Sequence, residues 1–162
     1  MTCATALCLD YSRTITACDI CPTLGQRPVS PDAAATLRIL HGLGLPLALI
    51  SNTKPGQCRR QALRAAGVLP LFSAVIESEK IGVEKPDPAF YHLAADALGL
   101  PACRIATVGD NLINDVIAPL ACGFGVAFLI RPDGMLRHGE VPPERSFVIE
   151  SISRLPDLFR RS

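Results

Sequence analysis

The sequence predicts an α/β fold, a parallel sheet with helices on both faces, and three observations carry that prediction. Short apolar runs recur at residues 4–9, 45–50, 71–76, 104–109 and 125–130. Runs this short, with no polar alternation, read as strands buried on both faces, the habit of parallel sheets. Helical stretches separate them in regular alternation, the signature of strand–helix–strand units. Four of the runs also end in, or lead into, a polar residue that handles anions: Asp10, Ser51, Lys85 and Asp110. In open parallel sheets ligands bind beyond the carboxyl ends of the strands. Two carboxylates, a hydroxyl and an ammonium are therefore expected along one edge, a set suited to a divalent cation bridging the protein to a phosphate.

The elements follow in order. After the first strand, residues 11–30 contain Pro22, Gly25 and Pro28 and read as a loop or hairpin. Ser30-Pro31-Asp32 opens a helix, with Ser30 as N-cap and Pro31 in the first turn, that runs through Leu37 and Leu40 to His41-Gly42. The second strand ends at Ser51, and Pro55 is expected to start a helix reaching Ala66, with Gly67 as its C-terminal stop. A third strand covers 73–77. From Pro88 to Leu98 the pattern is amphipathic, with Phe90, Leu93, Ala94, Ala97 and Leu98 on the inward face. A fourth strand, a helix from about Leu112, a fifth strand at 125–130, a short sixth at 147–149 and a last helix at 152–160 complete a three-layer, Rossmann-like arrangement. Pro119 lies inside the helix expected after Asp115 and should kink or shorten it.

The 162 residues suffice for one domain with a proper core, spanning 1–162, with 11–30 as a short flap. A chain 49% hydrophobic and 19% charged is not disordered. The net charge of +1, with scattered Lys and Arg, is no nucleic-acid footprint. No apolar run approaches the ~20 residues of a membrane span. The N-terminal stretch lacks a basic lead and runs into the first strand, so no signal peptide is expected. Of seven cysteines, Cys3, Cys8, Cys58, Cys103 and Cys122 lie in or beside apolar patterns and read as small buried hydrophobes of a reducing, cytoplasmic compartment. Cys18 and Cys21 have metal-site spacing but no second pair of ligands, so free thiols are expected. His41, His92 and His138 carry no motif.

Four segments resemble the ordered motifs of the haloacid dehalogenase-like (HAD) hydrolases: Asp10-Tyr11-Ser12-Arg13-Thr14, Ser51-Asn52, Lys85-Pro86-Asp87-Pro88 and Gly109-Asp110-Asn111-Leu112-Ile113-Asn114-Asp115. The resemblance runs from about residue 5 to 130. It implies Mg²⁺-dependent phosphoryl hydrolysis through an aspartyl-phosphate on Asp10. The metal would be held by Asp10, the Ser12 carbonyl and Asp110. Phosphate would be bound by Ser51, the amides of Asn52 and Thr53, and Lys85, with Asp115 and Asn111 in support. Family cap domains are inserted where residues 15–30 and 78–84 stand here, and neither stretch is long enough to fold one. The site is thus expected to be uncapped, which by the same resemblance implies a phosphorylated macromolecular substrate, or a protein partner or second copy covering the edge.

One position departs from the phosphatase pattern. Ser12 stands where family phosphatases carry a second Asp that protonates the leaving oxygen and then activates water. That help is typically worth ~10²–10⁴ in rate, and a serine hydroxyl is a poor substitute. The alternatives are an enzyme specialised for good leaving groups, a catalytically impaired phosphate-binding or scaffold protein, and, less favoured, a dehalogenase. Family dehalogenases dispense with the metal, whereas Asp110 is retained. Tyr11 and Arg13 flank the site as substrate contacts or ordinary flap residues, and Arg131-Pro132-Asp133-Gly134 reads first as a turn.

Overall fold

The computed structural model describes residues 4–160. Six strands form one parallel sheet in the order β3-β2-β1-β4-β5-β6: β1 (Ala6–Leu9), β2 (Leu47–Ser51), β3 (Phe72–Glu77), β4 (Ile105–Gly109), β5 (Val126–Ile130) and β6 (Ser146–Ile149). The order runs outward from β1 to β3, then restarts on the other side of β1 with β4. The switch point therefore lies between β1 and β4, where an open α/β sheet leaves its ligand crevice.

Strand parity sorts the core into two faces. Leu7, Leu9, Leu47, Leu49, Val108 and Phe128 pack against α1 (Pro31–Gly42), α2 (Arg59–Ala65) and α6 (Leu155–Arg160). Ala6, Cys8, Ala48, Ile50 and Ile105 face α4 (Pro88–Leu98), which follows the single-turn α3 (Ser78–Ile81). The α/β class and three layers read from the sequence are observed. Residues 11–30 double back through antiparallel bridges at Thr16–Val29 and Cys21–Gln26. Among the described residues no helix is long and apolar enough to cross a membrane.

Ser30 caps α1 as its sequence suggests, its Oγ accepting the Ala33 N–H at 3.1 Å. Four local expectations are corrected. First, α2 begins at Arg59, not Pro55. Pro55-Gly56 is a turn, closed by Gln57 N–H to Lys54 O at 3.1 Å, with Gly56 at φ +83°, a left-handed conformation no helix interior accepts. Second, α4 buries Phe90, Tyr91, Ala94 and Ala95, leaving Leu93 and Ala97 exposed. The helix is turned so that the Tyr91 ring meets Phe124 edge-on at 6.1 Å while its hydroxyl donates to Asn114 O at 2.6 Å.

Third, the helix expected from Leu112 is split into a wide π-type turn (Leu112–Ile117) and α5 (Ala118–Ala121), with Pro119 in the first turn of α5, where a missing N–H is no loss. Fourth, Cys103 is exposed, and Cys58 and Cys122 are only partly buried. Cys8 is fully buried, and Cys3 lies outside the described residues.

Burial pushes the Cys8 thiol up to about 12 against the pull of Lys85, so it is inert as a nucleophile. Iodoacetamide at pH 8 should label the exposed Cys18 and Cys103 and spare Cys8 until denaturant is added, as read by peptide mass mapping. Labelling of native Cys8 at the rate of Cys18 would contradict this packing.

Candidate active site

The carboxyl ends of β1 and β4 carry Asp10 and Asp110 side by side at the switch point. Lys85, 75 residues from Asp10 in sequence, reaches the same point from the turn before α4. Its Nζ donates to Asp10 Oδ1 at 2.8 Å and to Asp115 Oδ1 at 2.7 Å. Lys85 is held by Asn52, whose Oδ1 accepts the Lys85 N–H at 2.8 Å and whose Nδ2 donates to Lys85 O at 2.9 Å. The Asn52 side chain thus fastens the lysine turn and leaves only its backbone for an anion. The Thr53 N–H, expected to be free, donates to Ser78 Oγ at 2.8 Å. With α2 starting at Arg59, Ser51 does not stand at a helix N-terminus, and any phosphate cradle there rests on its hydroxyl, the Asn52 backbone N–H and Lys85.

Asp115 is seated by its surroundings. Its Oδ2 accepts the Asn111 N–H at 3.0 Å, and Asn111 Oδ1 in turn caps the following turn through Ile113 and Asn114 N–H. Gly109 is required beneath it, because a Cβ there would overlap the Asp115 carboxylate. The Asp115 carbonyl accepts Thr107 Oγ1 of β4 at 2.9 Å, which ties Asp115 to the sheet.

Oxygens of Asp10, Asp110 and Asp115 lie within 4.8 Å of one another. Lys85 is the one ammonium among three carboxylates; Arg13, two-thirds exposed, approaches Asp110 at 3.7 Å. Burial opposes the Lys85 charge, but Asp115 and Asp10 outweigh it and hold its pKa above the ordinary lysine value. Burial, opposed by Lys85, lifts the Asp115 carboxyl to about 7. Burial and then the Asp10 charge raise Asp110, against Arg13, Arg131 and Arg137. The cluster is short of positive charge, and its hard carboxylate oxygens suit a small divalent cation. Both Asp115 oxygens accept close hydrogen bonds, from Lys85 at 2.7 Å and from the Asn111 N–H at 3.0 Å, whereas Asp10 gives only Oδ1 to Lys85. The Ser12 carbonyl lies beside Asp10, 3.5 Å from the Thr14 hydroxyl that also contacts Asp10 Oδ2 at 3.3 Å.

Three residues carry more than their sequence context suggested. Tyr11 does not face substrate; it is fully buried, and its hydroxyl donates to Arg27 O. Arg131, read as part of a turn, is buried, donates to the Asp110 carbonyl at 2.7 Å and pairs with Glu140. Arg59 donates to Ser51 Oγ at 3.1 Å. An arginine next to another arginine gives no sequence signal of burial. Cys18 and Cys21 are free, and neither belongs to the single cluster of potential metal ligands among the described residues.

A family model for haloacid dehalogenase-like hydrolases matches residues 6–123. The chain is 34% identical over 128 residues to haloacid dehalogenase-like hydrolase domain-containing protein 3 of Danio rerio, a match covering 79% of this chain and 51% of that protein. It is 39% identical over 89 residues to a phosphoserine phosphatase of Thermus thermophilus, covering 55% and 35%. The chain therefore spans about half or less of the length of these curated relatives. An uncharacterized protein from Listeria monocytogenes serotype 4b superposes with a TM-score of 0.81 over 97% of both chains at 20% identity, a likeness of fold. A match that takes in the ends of β1, β2 and β4 and the lysine turn settles the family: the chain belongs to the haloacid dehalogenase-like hydrolases.

Proposed function

We propose that the chain is a Mg²⁺-dependent hydrolase of phosphate esters or anhydrides that works through a phosphoryl group carried on Asp10. The observation that supports it is the Lys85 ammonium set between Asp10 and Asp115, with Asp110 beside them and too little positive charge for three carboxylates. Asp10, Asp110 and the Ser12 carbonyl would hold Mg²⁺, which when bound neutralises the repulsion between carboxylate and phosphate.

Lys85 pins Asp10 Oδ1 and offers its charge to the phosphoryl oxygens as the bond to the leaving oxygen breaks. Ser51 donates its hydroxyl to the same group. Asp10 forms a bond to phosphorus, and the leaving oxygen departs with the electron pair of its P–O bond. Water then attacks phosphorus, regenerating the Asp10 carboxylate and releasing inorganic phosphate. No carboxylate stands at position 12 to protonate the leaving oxygen, so substrates that leave without help, such as acyl or aryl phosphates, are favoured.

Ser12 also supports a second reading, a catalytically impaired phosphate-binding protein. A panel of alkyl, aryl and acyl phosphates with Mg²⁺ separates the two. The enzyme reading expects turnover of the aryl and acyl esters by the natural chain, and a gain of about 10²-fold on alkyl esters in Ser12→Asp. A silent natural chain beside an active Ser12→Asp variant would favour the impaired reading. Halide release from a haloacid in excess chelator would instead revive a dehalogenase.

With only the doubled-back residues 11–30 and the single turn of α3 at the two insertion points, we propose an open edge that admits a macromolecular phosphate or is covered by a protein partner or second copy. The six free cysteines among the described residues suit a reducing, cytoplasmic setting.

A further inference from the structure

Arg59 is a buried cation whose guanidinium makes no salt bridge among the described residues. Only 5% of it is exposed, and among the described residues no carboxylate lies within 4.0 Å of its guanidinium. Its donors go to neutral groups: Nε to Ser51 Oγ at 3.1 Å, Nη1 to Gln26 Oε1 at 2.9 Å, and Nη2 to Gln57 Oε1 at 3.3 Å. The guanidinium stacks 4.2 Å over the Tyr11 ring. Glu77 is near but committed. Its Oε1 accepts the backbone N–H of Arg59 at 2.5 Å, and its Oε2 pairs with Lys80 at 2.6 Å.

A buried charge without a directly paired counter-ion is expensive, and a strut joining these segments needs no charge. What the charge does is act on Ser51. The Ser51 oxygen spends a lone pair on the guanidinium N–H, so its own O–H must point elsewhere. The acceptor now nearest it is the adjacent Asn52 carbonyl at a long 3.3 Å. A hydroxyl bonded through oxygen to a guanidinium is also polarised into a stronger donor.

We infer that Arg59 is a positioning residue for the phosphate site: it holds the Ser51 hydroxyl as a donor toward the bound phosphoryl group and sets a positive charge behind it. The inference rests on Ser51 as a phosphate ligand. It also gives a reason for a flap residue, Gln26, to be tied to the site, since the same guanidinium holds both.

The test is a double-mutant cycle on the full chain, read as the Kd of inorganic phosphate in the presence of Mg²⁺ by calorimetry. Arg59→Gln should weaken phosphate binding about tenfold, the size of a hydrogen bond that involves a charged group. In a Ser51→Ala background the same change should matter less than about twofold, because its route to the ligand is gone. A purely structural arginine would weaken binding equally in both backgrounds, and that additivity would overturn the inference while leaving the phosphate site standing. An unchanged Kd in Arg59→Gln would overturn it as well. If Ser51→Ala alone leaves the Kd unchanged, the phosphate role of Ser51 fails and the inference with it. Thermal melts check that each variant is folded, and Arg59→Lys, which keeps the charge but not the fork that reaches Ser51 and Gln26 together, runs the same cycle should Arg59→Gln not fold.

Discussion

Asp10→Asn should reduce turnover of an aryl or acyl phosphate by about 10⁴-fold or more, to the level of the uncatalysed reaction in the same buffer. An amide of nearly the same shape does not displace at phosphorus, so the step that forms the phosphoryl-enzyme disappears while the site keeps its outline. Fold should survive, because Asp115 still pairs with Lys85 at 2.7 Å. Two measurements check this together. Steady-state rates with Mg²⁺ should collapse, and acid-quenched intact mass spectra should show one phosphoryl group on the natural chain and none on the variant. A variant that hydrolyses aryl phosphate at the natural rate would mean that the nucleophile lies elsewhere or is water, and the proposed mechanism would be wrong.

The second large effect is on stability. Lys85→Met should destabilise the metal-free protein by about 3–5 kcal/mol, because it strips the counter-charge from two carboxylates held in a nearly dry site. The Lys85 side chain is 3% exposed, that of Asp115 1% and that of Asp10 12%, so solvent screens little of the interaction. The sign of the pH dependence follows from Asp115. With Lys85 present its pKa is already raised by burial to about 7, from an ordinary 3.8. Without the ammonium it rises further, so the folded variant takes up a proton at a pH where the natural protein is still ionised. A group with a raised folded pKa loses stability as pH climbs through that value, and the variant does so over a range where the natural chain no longer changes. The gap should therefore be widest near pH 9 and narrow toward pH 7, as urea unfolding in chelator would show. A gap that shrinks with rising pH would contradict the assignment of Asp115 as the buried, proton-accepting partner.

Much of the candidate site's placement is legible in the sequence because it sits at strand ends. A strand that stops in a parallel sheet delivers the next residue to the ligand edge, and apolar runs locate such stops without any knowledge of tertiary contacts. Asp10, Ser51 and Asp110 were found that way, and all three are drawn to the same edge as Lys85. What misled was equally local. Pro55 looks like a helix start, yet the following Gly56 turns the chain left-handed and postpones α2 to Arg59. Pro119 looks like damage to a helix, yet it falls in the first turn of α5, after a π-type turn has ended.

Local pattern by itself determined the α/β class, the strand ends and the acidic, hydroxyl and ammonium groups they present, because hydrophobic period and turn chemistry act over a few residues. Only the tertiary structure decided that β1 lies beside β4, that Lys85 is shared between Asp10 and Asp115, and that Arg59 is buried against Ser51 rather than solvated beside Arg60. Those are outcomes of strand order and of competition for buried hydrogen-bond partners between segments far apart in the chain, and they are set when the layers close over the sheet.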